Sequence, residues 1–226
     1  GRDVEFYPAA GADPGWVQLY LNGQVLVALL HQRKVISFHA SSFMHNGRGV
    51  MILGATGSGK TSVIVAFALK GAGFLSDDMT PVVFREAVPY IWSFNSKIKL
   101  RDDSIGQLNI SDESLTDAEA GTGKKYLRLG KGPEEYCKLD IILKIETGEV
   151  KEPVFKELTP AEKFACLRSE ICSWEYLAGM PATEAAYLQQ LVQITEKVHL
   201  VRVVRPEGIR ITEMYESLRE CLERED

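Results

Sequence analysis

Hydrophobic and polar residues fall into short, alternating runs over the first third of the chain. Trp16–Leu21 and Gln24–Leu30 are apolar-rich stretches separated by Asn22-Gly23, a dipeptide that favours the tight turn of a β-hairpin. The pattern therefore predicts two antiparallel strands there. A second hairpin is predicted about Asn46-Gly47, with arms Val35–Met44 and Gly49–Leu53, since Asn and Gly accept the positive φ angles of such turns. The rhythm then changes. Val50-Met51-Ile52-Leu53 is an unbroken apolar run, as in a strand buried on both faces, and it enters a glycine-rich loop.

Beyond that loop, Thr61–Lys70 is apolar without Pro or Gly and predicts a buried helix closed by Gly71. Phe74-Leu75-Ser76 predicts a short strand leading into Asp77-Asp78, and Pro81–Phe84, Tyr90–Phe94 and Tyr136–Ile145 predict further strands. Residues 111–132 are polar with four glycines, which predicts a loop-rich, mobile stretch. Thr159-Pro160-Ala161-Glu162 carries an N-cap, a first-turn proline and a capping-box Glu. Helices over Thr183–Lys197 and Thr212–Glu223, with a strand at His199–Val204 between them, complete the pattern. The expected class is α/β: a mixed sheet with an antiparallel N-terminal part and a helical C-terminal part. It is read as a single domain over 1–226, with strands in 1–53, a nucleotide-binding core in 54–85 and a mostly helical part in 155–226.

Composition narrows this picture. The chain has 226 residues, 45% hydrophobic and 25% charged, enough apolar content to exclude disorder as the main state. A net charge of −5 argues against a sequence-independent nucleic-acid binder, which needs a basic surface. No apolar run reaches the length of a membrane span, so no membrane association and a cytoplasmic location are expected. Cys137, Cys166, Cys172 and Cys221 include no Cys-x-x-Cys pair, and Cys166 and Cys172 read as small hydrophobes in a helix. No histidine falls at metal-ligand spacing.

The chemistry lies in Gly54-Ala55-Thr56-Gly57-Ser58-Gly59-Lys60-Thr61, which fits the Walker A pattern at every specified position. The glycines let successive backbone N–H groups converge on phosphate oxygens without a Cβ in the way. Lys60 is placed for the β- and γ-phosphates and Thr61 for Mg²⁺, and the helix beginning there offers its positive dipole end. A buried strand before and a helix after are the context the motif needs.

Phosphoryl transfer also requires a metal partner and a group that orients or deprotonates the nucleophile. Asp77-Asp78 follow Lys60 after one helix and one strand. A strand returning beside the phosphate-loop strand would bring them to the same sheet edge. One carboxylate can take the acceptor's hydroxyl proton while the other supports the metal. His39, on the strand before the second hairpin, is a candidate contact to phosphate or acceptor; on strand position alone, the better reading is a half-buried strand histidine.

Taken together, His39-Ala40-Ser41, the turn at 47–50, the phosphate loop with its helix, and Gly73-Phe74-Leu75-Ser76-Asp77-Asp78 resemble the catalytic domain of HPr serine kinase/phosphorylase, a family related to phosphoenolpyruvate carboxykinase. The resemblance covers about residues 35–85 and implies a divergent P-loop domain of that type. It implies that Gly54, Ala55, Thr56, Gly57, Ser58, Gly59, Lys60, Thr61 and Ser62 hold the phosphates of ATP, and that Thr61 and Asp78 hold Mg²⁺. Ser62 stands where the family usually carries Glu. Asp77 would accept the proton of a serine hydroxyl, with His39 near the transferred phosphate and Lys60 beside it. The implied acceptor is a serine of a protein or peptide, or a small hydroxyl compound, and homo-oligomeric assembly is consistent with the family.

Positive groups should support the transition state. Candidates are Lys97, Lys99 and Arg101, which alternate and so share a face, and Lys124, Lys125, Arg128 and Lys131 in the glycine-rich stretch. A lid over 121–132 that orders on nucleotide binding is a further expectation; unchanged protease sensitivity there on adding nucleotide would remove it. Two other functions fit part of the pattern: a carboxykinase-like enzyme acting on a small carboxylic acid, and a non-catalytic nucleotide sensor.

Overall fold

The computed structural model describes residues 3–93, 97–117, 123–129 and 134–224. It opens on helix α1 (Pro14–Tyr20), which passes through a π-helical stretch (Leu21–Val25) into α2 (Leu26–Gln32). These replace the hairpin expected around Asn22-Gly23. The start is set by Asp13, whose side chain accepts from the Trp16 N–H, with Pro14 in the first turn, a combination that favours a helix start. Val27, Leu30 and His31 are the buried positions of α2, a spacing of three and four that only a helix places on one side. His31 Nδ1 lies 3.0 Å from Tyr187 Oη and Nε2 lies 3.0 Å from the Cys172 carbonyl. Docking of that helical face overrides the local turn signal, so strands occupy only the later part of 1–53.

Next come β1 (Ile36–Phe38), β2 (Ala40–His45), β3 (Arg48–Leu53), α3 (Lys60–Leu69), β4 (Gly73–Ser76), β5 (Thr80–Arg85), β6 (Val88–Trp92) and β7 (Lys97–Arg101). They are followed by α4 (Asp102–Leu108), β8 (Leu115–Asp117), β9 (Lys124–Arg128), β10 (Tyr136–Thr147) and β11 (Val154–Glu157). The chain then forms α5 (Pro160–Ser169), α6 (Pro181–Lys197), β12 (His199–Arg205) and α7 (Ile211–Arg224). The Asn46-Gly47 turn is as expected, with φ of 51° and 79° and His45 facing Arg48. The predicted strand Val35–Met44 is split at His39, because β1 leaves to pair with β5 while β2 pairs with β3 and β4. Residues 115–117 and 124–128 are strands, correcting the loop-rich expectation; alternation of Leu115 and Leu127 against Ile98 and Leu100 gives that segment an apolar face. Residues 121, 122 and 130–132 of the expected lid, Lys131 among them, lie outside the described residues. Cys172 also lies beyond the end of α5.

Among the described residues the strands form two sheets. The larger has nine strands, in the order β1-β5-β6-β10-β3-β2-β4, with β12 and β11 continuing from β10. Its axis is the twelve-residue strand β10, antiparallel to β6 at its start and parallel to β3 and β12 further on. Where its register with β3 shifts, between Leu139 and Ile141, a Cβ on Gly49 would stand 2.1 Å from the Lys138 carbonyl, so only glycine fits. Val50 and Ile52 face α3 and α7, whereas Met51 and Leu53 face α6. That double burial explains the unbroken apolar run. The smaller sheet, β7-β9-β8, packs Ile98, Leu100 and Leu127 into the α3–α7 core.

Among the described residues, no helix is long and apolar enough to cross a membrane.

Candidate active site

The phosphate loop springs from the carboxyl end of β3 and closes onto α3. Gly54 has φ of 154°, and a Cβ there would meet the Ile145 carbonyl and Ser58 Oγ, each at 2.6 Å. Gly57 and Gly59 have φ of 85° and 98° with nothing within 4 Å of the missing Cβ, so the backbone there faces open space. Glycine is thus required in the first case for room and in the others for conformation. Ala55, Thr56 and Gly57 form the exposed tip, while Gly54, Ser58 and Lys60 are buried.

Lys60 Nζ donates to the Gly54 carbonyl at 2.5 Å and to the Ala55 carbonyl at 3.4 Å. Burial pulls its pKa down, and the nearby carboxylates of Glu170, Asp77 and Asp78 oppose that pull. From the other side, Arg205 at the end of β12 donates Nε to the Ser58 carbonyl (2.9 Å) and Nη2 to the Gly57 carbonyl (3.3 Å). The loop is therefore held between two cations that bond its carbonyls, and the Ser58 N–H closes it internally onto the Ala55 carbonyl at 3.0 Å.

The expected strand bearing the Asp pair does reach this edge, with one difference. β4 is not beside β3; β2 lies between them. Ser42 pairs with both Met51 and Ser76, so the residues after Ser76 emerge level with the loop. The intervening strand supplies a partner: Ser41 Oγ donates to Asp77 Oδ1 at 2.5 Å. Thr61 Oγ1 donates to the same carboxylate, 3.2 and 3.4 Å from its two oxygens. Asp77 is 7% exposed. Burial, reinforced by the adjacent Asp78 charge, pushes its pKa up to about 6, against the pull of the Ser41 and Thr61 hydrogen bonds. Asp78 is exposed and takes φ of 65°. Beneath the pair, Ser42, Ser76 and Thr80 form a buried hydroxyl chain at 2.6 and 2.7 Å that ends on the Ala40 carbonyl.

His39 sits exposed at the bend between β1 and β2, beside the Ala40–Leu53 pair and hence at this same edge. Its backbone N–H donates to the Glu170 carbonyl at 2.7 Å. The Glu170 side chain forms an ion pair with Lys144 of β10, both largely buried, and Lys144 faces Leu53 in the ladder. Lys60, Thr61 and Asp77 are thus in one cluster with Asp78 and His39 at its rim. Ser62 turns away: its Oγ is 2.8 Å from Ser104 Oγ on α4. Lys97, Lys99, Arg101, Lys124 and Arg128 belong to the smaller sheet, and Lys125 pairs with Asp112 at 3.0 Å.

Sequence reasoning gave no role to Ser41, Lys144, Glu170 or Arg205. Ser41 was in view, two residues from His39 in the predicted strand, but the bend at His39 leaves the histidine exposed and Ser41 buried. Lys144 follows the apolar run Ile141–Leu143 and Arg205 follows Val203-Val204, a weak signal that other charges on the same strands share; Glu170, after α5, carries none.

The residues present fit a nucleotide and its metal. Open space beyond Gly57 and Gly59, the start of α3 and the Lys60 ammonium suit a phosphate chain. The Thr61 hydroxyl and the neighbouring carboxylates offer hard oxygen donors of the kind Mg²⁺ takes, one or two from protein with the rest from phosphate and water. Among the described residues no cluster of three or more His, Cys, Asp or Glu forms a metal cage.

No family model and no curated protein matches this sequence. Among solved structures the chain is similar to the HPr(Ser) kinase/phosphatase from Coxiella burnetii. The match covers 84% of this chain and 99% of that chain, with a TM-score of 0.46 and 11% identity. A likeness of that size says nothing of what this chain binds or does.

Proposed function

We propose that this protein is a phosphotransferase that moves the terminal phosphoryl group of ATP, with Mg²⁺, to a hydroxyl, most plainly a serine of a protein or peptide. One observation carries the proposal: a carboxyl group buried at the mouth of a Walker A loop, bonded to that loop's own Thr61, with its pKa pushed up to about 6. Such a group is ionised near neutrality yet basic enough to take a proton. A purely structural aspartate gains nothing from that placement.

When bound, the metal and nucleotide supply an activated phosphoryl group with its negative charge partly neutralised. The chain's own part is positional and acid–base. The N–H groups of Gly57, Gly59, Lys60 and Thr61, with the Lys60 ammonium, would orient the phosphates, while the Ser58 N–H on the Ala55 carbonyl and Arg205 from behind fix the loop's shape. Asp77 accepts the acceptor's hydroxyl proton at a carboxylate oxygen, with Ser41 holding the carboxylate's orientation. Thr61 and Asp78 support the metal, and His39 stands at the acceptor side of the edge.

A second assignment exchanges the two carboxylates. It is favoured by the Thr61 hydroxyl, which bonds to Asp77 and not to Asp78, as befits a metal-side carboxylate; exposed Asp78 would then be the base. The test is transfer of labelled γ-phosphate to serine peptides and small hydroxyl compounds by wild type, Asp77→Asn and Asp78→Asn, with nucleotide affinity measured in parallel. Loss of transfer in Asp77→Asn with nucleotide affinity kept supports the first assignment. Transfer surviving in Asp77→Asn but not in Asp78→Asn supports the second. Nucleotide binding without transfer to any acceptor leaves the sensor reading, and turnover of a small carboxylic acid instead of a hydroxyl leaves the carboxykinase-like one.

A further inference from the structure

The outer face of the smaller sheet carries a concentration of one charge. Ile98, Leu100 and Leu127 point to the core, so alternation turns Lys97, Lys99 and Arg101 of β7 and Lys124, Tyr126 and Arg128 of β9 the other way. Lys97 stands directly opposite Arg128, and Arg101 directly opposite Lys124. Like charges in directly facing positions destabilise a sheet. Here two such pairs flank the Lys99–Tyr126 pair in a chain whose net charge is −5, so an overall basic composition does not account for them. Local rules broken at a cost to stability mark places kept for function.

We infer that this face is a docking surface for an acidic, extended polypeptide segment. Resting on the phosphotransfer reading above, the segment belongs to the phosphoryl acceptor. Three observations select that occupant. Alternate residues on a strand repeat at about 6.6 Å, and an extended peptide presents alternate side chains at the same interval. A run of alternating carboxylates therefore meets Lys97, Lys99 and Arg101 in step. Secondly, the aromatic ring on this face, which a nucleic-acid base would stack on, is already approached by two ammonium groups, Lys97 Nζ and Lys99 Nζ lying 5.7 and 5.5 Å from the Tyr126 ring centroid. Stacking platforms for single strands keep such rings open to bases. Thirdly, the face adjoins the helix that follows the loop: Arg101 directly precedes α4, whose Ser104 bonds Ser62 in the first turn of α3, on the side turned away from Asp77. A segment lying on the sheet would thus run beside the start of α3, with its continuation free to reach round to the loop.

The test uses a fluorescein-labelled peptide of alternating Glu residues ending in a serine segment, with binding followed by anisotropy at low and physiological salt. Wild type should bind it with affinity that falls as salt rises. In Lys97→Glu/Arg101→Glu each new carboxylate faces a cation, so this variant should melt no lower than wild type yet bind the peptide at least tenfold more weakly; Lys97→Gln/Arg101→Gln should fall between. Absence of peptide binding by wild type, with or without nucleotide, overturns the proposal, as does tighter binding of an oligothymidylate of similar charge. A parallel loss of nucleotide affinity in the Glu variant would assign these cations to the nucleotide and overturn it too. The two readings separate cleanly: salt-sensitive peptide binding that survives Asp77→Asn, together with no phosphate transfer in wild type, keeps the docking surface and removes its link to catalysis.

Discussion

At the carboxyl edge of the large sheet, charges of both signs are gathered out of water; on the outer face of the small sheet, charges of one sign are set side by side in it. Lys60, Asp77, Lys144 and Glu170 are each largely buried and each has a bonded partner. Lys97, Arg101 and Arg128 are exposed and face other cations across the strands. The contrast follows from dielectric. A buried charge without a partner costs several kcal/mol, so the edge had to be balanced before it could fold. An exposed charge is screened, and repulsion between neighbours costs only tenths of a kcal/mol to about 1 kcal/mol. The first arrangement suits chemistry on a small charged ligand, the second long-range attraction of a larger one.

The largest expected effect is on activity. Asp77→Asn should lower phosphoryl transfer by about 10²–10⁴-fold, the usual worth of a positioned base, with nucleotide affinity unchanged by equilibrium binding; a loss under tenfold would deny Asp77 that role. Next comes the buried pair. Glu170→Leu leaves Lys144 uncompensated and should cost about 3–5 kcal/mol in urea unfolding. Adding Lys144→Met should recover most of that, and a double variant no more stable than the single would mean the ion pair is not what the edge depends on.

Asp77 itself should weigh against stability. Its folded pKa lies above its usual value, so the native state holds the proton more tightly. Stability from that group is full at acid pH and is lost as pH rises from about 4 to about 6. Asp77→Asn should therefore be more stable than wild type by about 1–3 kcal/mol at pH 8, since one unit of pKa is about 1.4 kcal/mol, and the gain should vanish near pH 4. Calorimetry at the two pH values checks it. The Ser41 hydroxyl favours the ionised form, so Ser41→Ala should shift the acid limb of the rate profile to higher pH. An unmoved limb would mean that Ser41 does not act through Asp77. The smallest effect sharpens the contrast from the other side: Lys97→Glu should stabilise by about 0.2–1 kcal/mol, read as a small rise in Tm that high salt abolishes.

Much of the site was legible because it is local. The phosphate loop, the strand before it and the helix after it lie within residues 48–69, and each residue type there answers to a backbone requirement that neighbours in sequence impose. The Asn46-Gly47 hairpin and the Thr159–Glu162 capping box are of the same kind. Asn22-Gly23 misled for the opposite reason. Its turn preference is worth little beside the burial of Val27, Leu30 and His31, with His31 held by Tyr187 and Cys172 more than a hundred residues away. Ser41, Lys144, Glu170 and Arg205 were hidden in the same way, since each matters through a partner brought in by another strand or helix.

By itself the sequence determined that a glycine-rich loop of Walker A pattern joins a buried strand to a helix, that an acidic pair follows a short strand, and that the cations at 97–101 share a face. These are consequences of backbone sterics and of the two-residue period of a strand, which need no knowledge of the rest of the chain. The tertiary structure alone decided that β2 comes between β3 and β4 and brings Ser41 to Asp77. It alone decided that burial lifts that carboxyl group toward neutrality, and that β9 sets Arg128 and Lys124 against the cations of β7. Strand order and register are fixed by the burial of distant apolar residues, and the energy of a charge depends on what that burial places around it.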